Sequence, residues 1–182
     1  MRKVILACGL IGGSIVALVL VYSTVSCYST SQFEGNMLLG YTAMLLAFSL
    51  VFVGVKTVRD KHNEGIISFG KAFKTGLFIT LITSTIYVAV WLVCYYLFIP
   101  DFMEKYTAFV LKQAAEEGNN SAEIAKKTAD MQSYTDMYKN PAFVILLTYA
   151  EILPVGLVVS LITALLLKRS RKEPGAYSVA GS

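Results

Sequence analysis

The sequence predicts an all-α membrane protein with four transmembrane helices and an extracytoplasmic helical hairpin between the third and fourth. Three observations carry that prediction. Of 182 residues, 55% are hydrophobic and 15% charged, against about a quarter charged in soluble domains, and the mean hydropathy is +0.60. The charges are segregated: Val4 to Phe33, Gly35 to Val55 and Thr75 to Pro100 carry none, and Asn140 to Leu167 carries only Glu151. Only Pro100 to Pro141 reads as water-facing helix. This composition excludes a disordered chain, a disulfide scaffold, a nucleic-acid module and an ordinary soluble enzyme.

A helix rises 1.5 Å per residue, so a hydrocarbon core of about 30 Å needs about 20 apolar residues. Each run supplies them, placing spans near Val4 to Tyr22, Met37 to Val55, Phe73 to Phe98 and Phe143 to Leu165 of a single membrane domain, residues 1–182. Lipid leaves a bare N–H or C=O unsatisfied, and the runs lack the two-residue alternation of barrel strands, so the spans are helices. The first span, with Arg2-Lys3 before it and serines after it, also has the outline of a signal peptide. Its apolar stretch is longer than a signal core, and an uncleaved span is the expectation. Cys8, Cys27 and Cys94 are too dispersed for a disulfide framework.

Orientation follows from the connectors, because the cytoplasmic side carries the excess of Lys and Arg. The N-terminus (Arg2, Lys3), the loop 56–72 with adjoining Lys74, and the tail 168–182 hold eleven basic residues against Asp60, Glu64 and Glu173. On the other side, Ser23 to Asn36 carries only Glu34, while Pro100 to Pro141 carries five Lys against seven acids. Both termini are therefore expected in the cytoplasm. Lys71 and Lys74 are expected at anionic headgroups, beside an amphipathic lead-in of Ile66, Ile67, Phe69, Ala72 and Phe73.

In the insertion, about residues 101–139, Phe102, Met103, Tyr106, Phe109 and Val110 form one stripe of a helix that ends near Gly118. Ser121 is expected to cap a second helix carrying Ile124, Thr128, Met131, Tyr134 and Tyr138 on one face, stopped by Asn140-Pro141. In the inner loop, Gly65 to Ala72 reads G-x-x-x-x-G-K-A, but the last position lacks the hydroxyl and no strand precedes it, so nucleotide binding is rejected. His62 with Asp60 and Glu64 fits no metal pattern.

Glu151 is the one ionisable side chain inside a span. Such residues mark a pathway or ligand site by default and face protein rather than lipid. Pro154 frees the carbonyl of Ala150 beside it, which predicts a kink and a polar pocket. Matching depth across the bundle brings Tyr87, Trp91 and Cys94 to the level of Glu151, on a stripe of Thr80, Ser84, Tyr87, Trp91 and Tyr95. The candidate intramembrane polar site is Glu151, Pro154, Tyr87 and Trp91. The competing reading is that the carboxyl locks two helices together. Gly9 and Gly13, and Gly156 and Ser160, are small residues at four-residue spacing and are the candidate helix-packing positions.

The run Gly54 to Gly76, the exit Pro100-Asp-Phe-Met-Glu-Lys-Tyr106 and the segment Glu151-Ile-Leu-Pro-Val-Gly156 together resemble the bacterial family catalogued as domain of unknown function 4199. The resemblance covers nearly the whole chain. It implies a small four-span inner-membrane protein with an outer helical insertion, and it brings no activity or functional residues. With no nucleophile–base pair, metal constellation or cofactor loop, the expected function is a non-enzymatic accessory or scaffold component of the bacterial inner membrane, without a cofactor. Its expected partners are the lipid bilayer and a second membrane protein, either another copy or a different chain, and no nucleic acid. The alternative is a small transporter or channel subunit with Glu151 as a proton, ion or ligand site.

Overall fold

The computed structural model describes residues 1–30 and 37–169. Among them the order is α1 (Arg2–Thr30), α2 (Met37–His62), α3 (Phe69–Val93), a π-helical turn (Cys94–Phe98), α4 (Phe102–Glu116), α5 (Ser121–Tyr138) and α6 (Pro141–Leu167). Glu34 and the tail residues Arg171, Lys172 and Glu173, counted above for orientation, lie outside the described residues.

The helices run past the apolar stretches that predicted them, because backbone hydrogen bonding does not stop where hydrophobicity does. α1 continues beyond Tyr22, and α2 runs beyond Val55 to finish on Arg59, Lys61 and His62, cations that suit the negative end of a helix dipole. α3 starts at Phe69 rather than Phe73, with the Ser68 hydroxyl accepting from the Lys71 N–H at 3.4 Å. At its far end the ladder widens: the Ile99 N–H donates to the Cys94 carbonyl at 3.0 Å, five residues back.

One local expectation is corrected. Ser121 is the first residue of α5, and Asn120 is its cap. The Asn120 side chain accepts from the Ala122 and Glu123 N–H groups at 3.0 and 2.9 Å, while Glu123 accepts from the Asn120 N–H at 3.0 Å. This reciprocal box satisfies backbone donors at both ends of the turn. Asn140 caps α6 by accepting a single bond, from the Ala142 N–H at 3.0 Å, with Pro141 at the first helical position, where a missing N–H costs nothing.

α1, α2, α3 and α6 are each long and apolar enough to cross a bilayer. α1 and α6 each pack along both α2 and α3, and α2 meets α3 across the bundle, leaving α1 and α6 as the separated pair. The core is a stripe of α2, Met44, Ala47, Phe48, Val51, Val55 and Val58, all under 5% exposed. These positions recur at three- and four-residue steps, so one face of α2 points inward along its whole length.

Lipid tails are as apolar as these side chains, so helix association rests on close van der Waals packing and interhelical hydrogen bonds. The small residues provide it, and α3 is their common partner. A Cβ at Gly9 would lie 2.8 Å from Ile82, and one at Gly13 would lie 2.4 Å from Ile86. On the opposite side of α3, a Cβ at Gly156 would lie 2.3 Å from Thr80 and 2.7 Å from the Phe48 ring. The two small-residue pairs therefore do not meet each other; each seats α3 within one chain.

The loop between α2 and α3 turns through left-handed backbone at Glu64 (φ 52°) and Gly65 (φ 78°). Ile67 then exchanges two backbone hydrogen bonds with Arg169, at 3.2 and 2.9 Å. That antiparallel bridge ties the loop to the end of α6 and buries Ile67.

Candidate functional site

The face of α3 carrying Thr80, Ser84 and Tyr87 is buried, and it meets α6 in a seam of hydrogen bonds. Thr80 Oγ1 lies 3.0 Å from Ser160 Oγ and donates to the Gly156 carbonyl at 3.2 Å. At the surface of the same seam, Thr85 Oγ1 and the Tyr149 hydroxyl are 2.8 Å apart. Nearer the α4–α5 pair, the Tyr87 hydroxyl donates to Glu151 Oε1 at 3.4 Å, a long bond. Towards α1, Thr83 donates to the Gly9 carbonyl at 3.2 Å.

Glu151 and Tyr87 stand on the wall of a cavity of about 140 Å³ between the separated helices α1 and α6. The remaining wall is mostly apolar, with Val16 and Leu20 from α1 and Ala43 and Met44 from α2; Ser23 and Tyr41 add hydroxyls. A space of that size has room for several waters. Glu151 is exposed towards it, whereas Tyr87 is 8% exposed. One turn below Tyr87, the Ser84 hydroxyl is completely buried and has no hydrogen-bond partner among the described residues.

An aromatic cluster closes the end of the bundle nearest the site. Trp91 meets Phe102 edge-on at 5.4 Å, Tyr95 meets Tyr138 at 5.5 Å, and Tyr138 meets Phe143 at 6.1 Å. These contacts join α3, α4, α5 and α6. Burial first, then the neighbouring Tyr95, Glu151 and Tyr106, push the Tyr138 phenol up to about 12.

Of the four residues named for the site from the sequence, Tyr87 and Glu151 come together. Trp91 is half-buried in the aromatic cluster, with Tyr95 and Phe102 as its ring neighbours. Pro154, one turn on from Glu151, is exposed and does not line the cavity, and α6 continues through it. The cavity lies where α1 and α6 do not pack against each other, so its α1 and α2 wall, including Ser23 and Tyr41, has no signal in spacing or composition. In the sequence, Tyr138 stands out only as part of an amphipathic face. Among the described residues, no three His, Cys, Asp or Glu side chains converge as a metal would require.

Four bilayer-length helices, α3 and the three packed on it, with a helix pair inserted between the third and fourth, define an all-helical multi-pass membrane protein. The chain belongs to DUF4199, a family of proteins of unknown function whose pattern matches residues 7–169. No curated protein and no solved structure matches it.

Proposed function

We propose that the chain is a non-enzymatic accessory or scaffold component of the bacterial inner membrane, with both termini in the cytoplasm and the α4–α5 pair outside. The observation that carries this reading is the α3–α6 seam. Thr80, Ser160, Thr85, Tyr149 and Tyr87, the groups that would line a polar path, are engaged in holding two helices together. Orientation rests on the basic residues of the inner loop. A periplasm-active reporter fused after Gly118 is expected to be active and one after Lys61 inactive; the reverse pattern overturns the topology.

A second reading, a small transporter or channel subunit, is favoured by the cavity beside Glu151 and by the unpartnered Ser84 hydroxyl. Intramembrane carboxyls commonly serve as proton or ion sites. Proteoliposomes decide between the two. The accessory reading expects no pH-driven flux above protein-free liposomes, and expects Glu151→Gln only to lower the melting temperature in detergent. Flux in the native protein that Glu151→Gln abolishes, at unchanged abundance, overturns it in favour of transport.

A further inference from the structure

A second site lies at the end of the bundle opposite the α4–α5 pair, away from Glu151. Gly9 lies against Ile82 and Gly13 against Ile86, so α1 and α3 run parallel and begin at the same face. Their first turns enclose a groove of about 490 Å³, a volume in the range of roughly 300–1,000 Å³ typical of ligand sites. Its floor is apolar: Ile5 and Leu6 from α1, Phe78 and Ile82 from α3. Its rim carries Arg2, Lys71 and Lys74, and among the described residues no carboxylate lines it. Lys71 Nζ also donates to Asn63 Oδ1. Arg2 and Lys74 are exposed and have no ion pair among the described residues.

The same two helices enclose another apolar groove at their far ends, lined by Val21, Val25, Val93 and Phe98. There Tyr28 forms part of the wall, and the adjacent cation, Lys105, lies 3.1 Å from the Asp101 carboxylate and 3.6 Å over the Tyr28 ring. One groove therefore has a neutralised rim. The other presents three cations above an oily floor, at the positive ends of two parallel helix dipoles. An apolar tail below and an anion above is the chemistry of an acidic phospholipid, and basic pockets between membrane helices bind such headgroups.

We propose that the groove between the first turns of α1 and α3 binds one anionic glycerophospholipid, its phosphodiester held by Arg2, Lys71 and Lys74 and an acyl chain lying along Leu6, Phe78 and Ile82. Each basic residue contributes about fivefold to affinity for an acidic lipid surface. The test uses the full-length chain in a neutral detergent, titrated with phosphatidylglycerol, with phosphatidylcholine of the same acyl chains, and with inorganic phosphate. Native mass spectrometry and thermal melting read the binding. The expected result is preferential retention of phosphatidylglycerol, weakened about fivefold by Arg2→Gln or Lys74→Gln and restored by Lys74→Arg. Phosphatidylcholine binding is unchanged by those substitutions, while Phe78→Ala weakens both lipids. Equal retention of the two lipids, indifference to the charge substitutions, or equal stabilisation by inorganic phosphate overturns the proposal. None of these readouts depends on the role of Glu151, so this proposal and the accessory reading fail separately.

Discussion

Tyr87 and Glu151 show how little a single hydrogen bond decides inside a bilayer. Their 3.4 Å contact is long, and interhelical hydrogen bonds in membranes average about 0.6 kcal/mol because the separated helices find other partners. Tyr87→Phe is therefore expected to destabilise the bundle by about 0.5 kcal/mol, measured by reversible unfolding in mixed micelles. A loss above about 2 kcal/mol would mean that the carboxyl depends on that hydroxyl far more than the geometry indicates. At Gly156 the balance is steric. A methyl would sit 2.3 Å from Thr80 and 2.7 Å from the Phe48 ring, which are both completely buried. Gly156→Ala is expected to cost about 1–3 kcal/mol through overpacking, whereas Gly40→Ala, with nothing within 4 Å, is expected to be neutral in the same assay.

Among the elements, the α4–α5 pair is held by caps and surface charges more than by burial, since no residue of α5 is fully buried and Tyr138 is half-buried. Removing the Asn120 cap by Asn120→Ala is expected to cost about 1 kcal/mol, seen as faster amide exchange across the first turn of α5 with α6 unaffected. The C-terminal end of α1 is tied to the start of α4 by the Tyr28 hydroxyl, which donates to Asp101 Oδ1 at 2.5 Å, and by the Asp101–Lys105 pair. Hydrogen bonds from Tyr28 and then Lys105 hold the Asp101 carboxyl below its usual range. Its contribution is complete above the unfolded-chain value and is lost as pH falls through the lower native value. Lys105, shifted upward by Tyr28 and Asp101, contributes below its unfolded value and ceases as pH rises through the native one. The tie is thus expected to persist across neutral pH and release in acid. The protection of amides at residues 22–28, taken relative to intrinsic exchange, should fall as pH drops below about 4, and Asp101→Asn should remove that dependence.

For the whole molecule, α3 is the organising helix: Ile82 and Ile86 receive α1 on one side while Thr80 receives α6 on the other. Weakening either seam should therefore loosen the bundle without unfolding individual helices, whose backbone bonds are internal to each segment. The double substitution Gly9→Leu and Gly13→Leu is expected to preserve far-UV helicity while disrupting the α1–α3 packing, measured by crosslinking of cysteines introduced at Leu6 and Phe78. Retained crosslinking would show that α1 seats on α3 through some other surface.

The four spans and the hairpin were legible because lipid imposes two demands, length and backbone self-satisfaction, that leave a plain mark on a single sequence. Glu151 stood out as the one charge in an apolar run, and the small-residue pairs by their spacing. Which surfaces these residues meet was not legible. That the two small-residue pairs grip opposite sides of α3, that α1 and α6 leave a cavity between them, and that Trp91 and Pro154 stand apart from the Glu151–Tyr87 contact all depend on helix rotation and crossing. Those are settled by contacts between segments far apart in the chain. Local composition alone thus determined the medium and the number of crossings, through the solvation of the backbone. Only the folded arrangement decided which side chains share a cavity and which cations gather at one groove, because an apolar helix in lipid has no hydrophobic face to announce its neighbour.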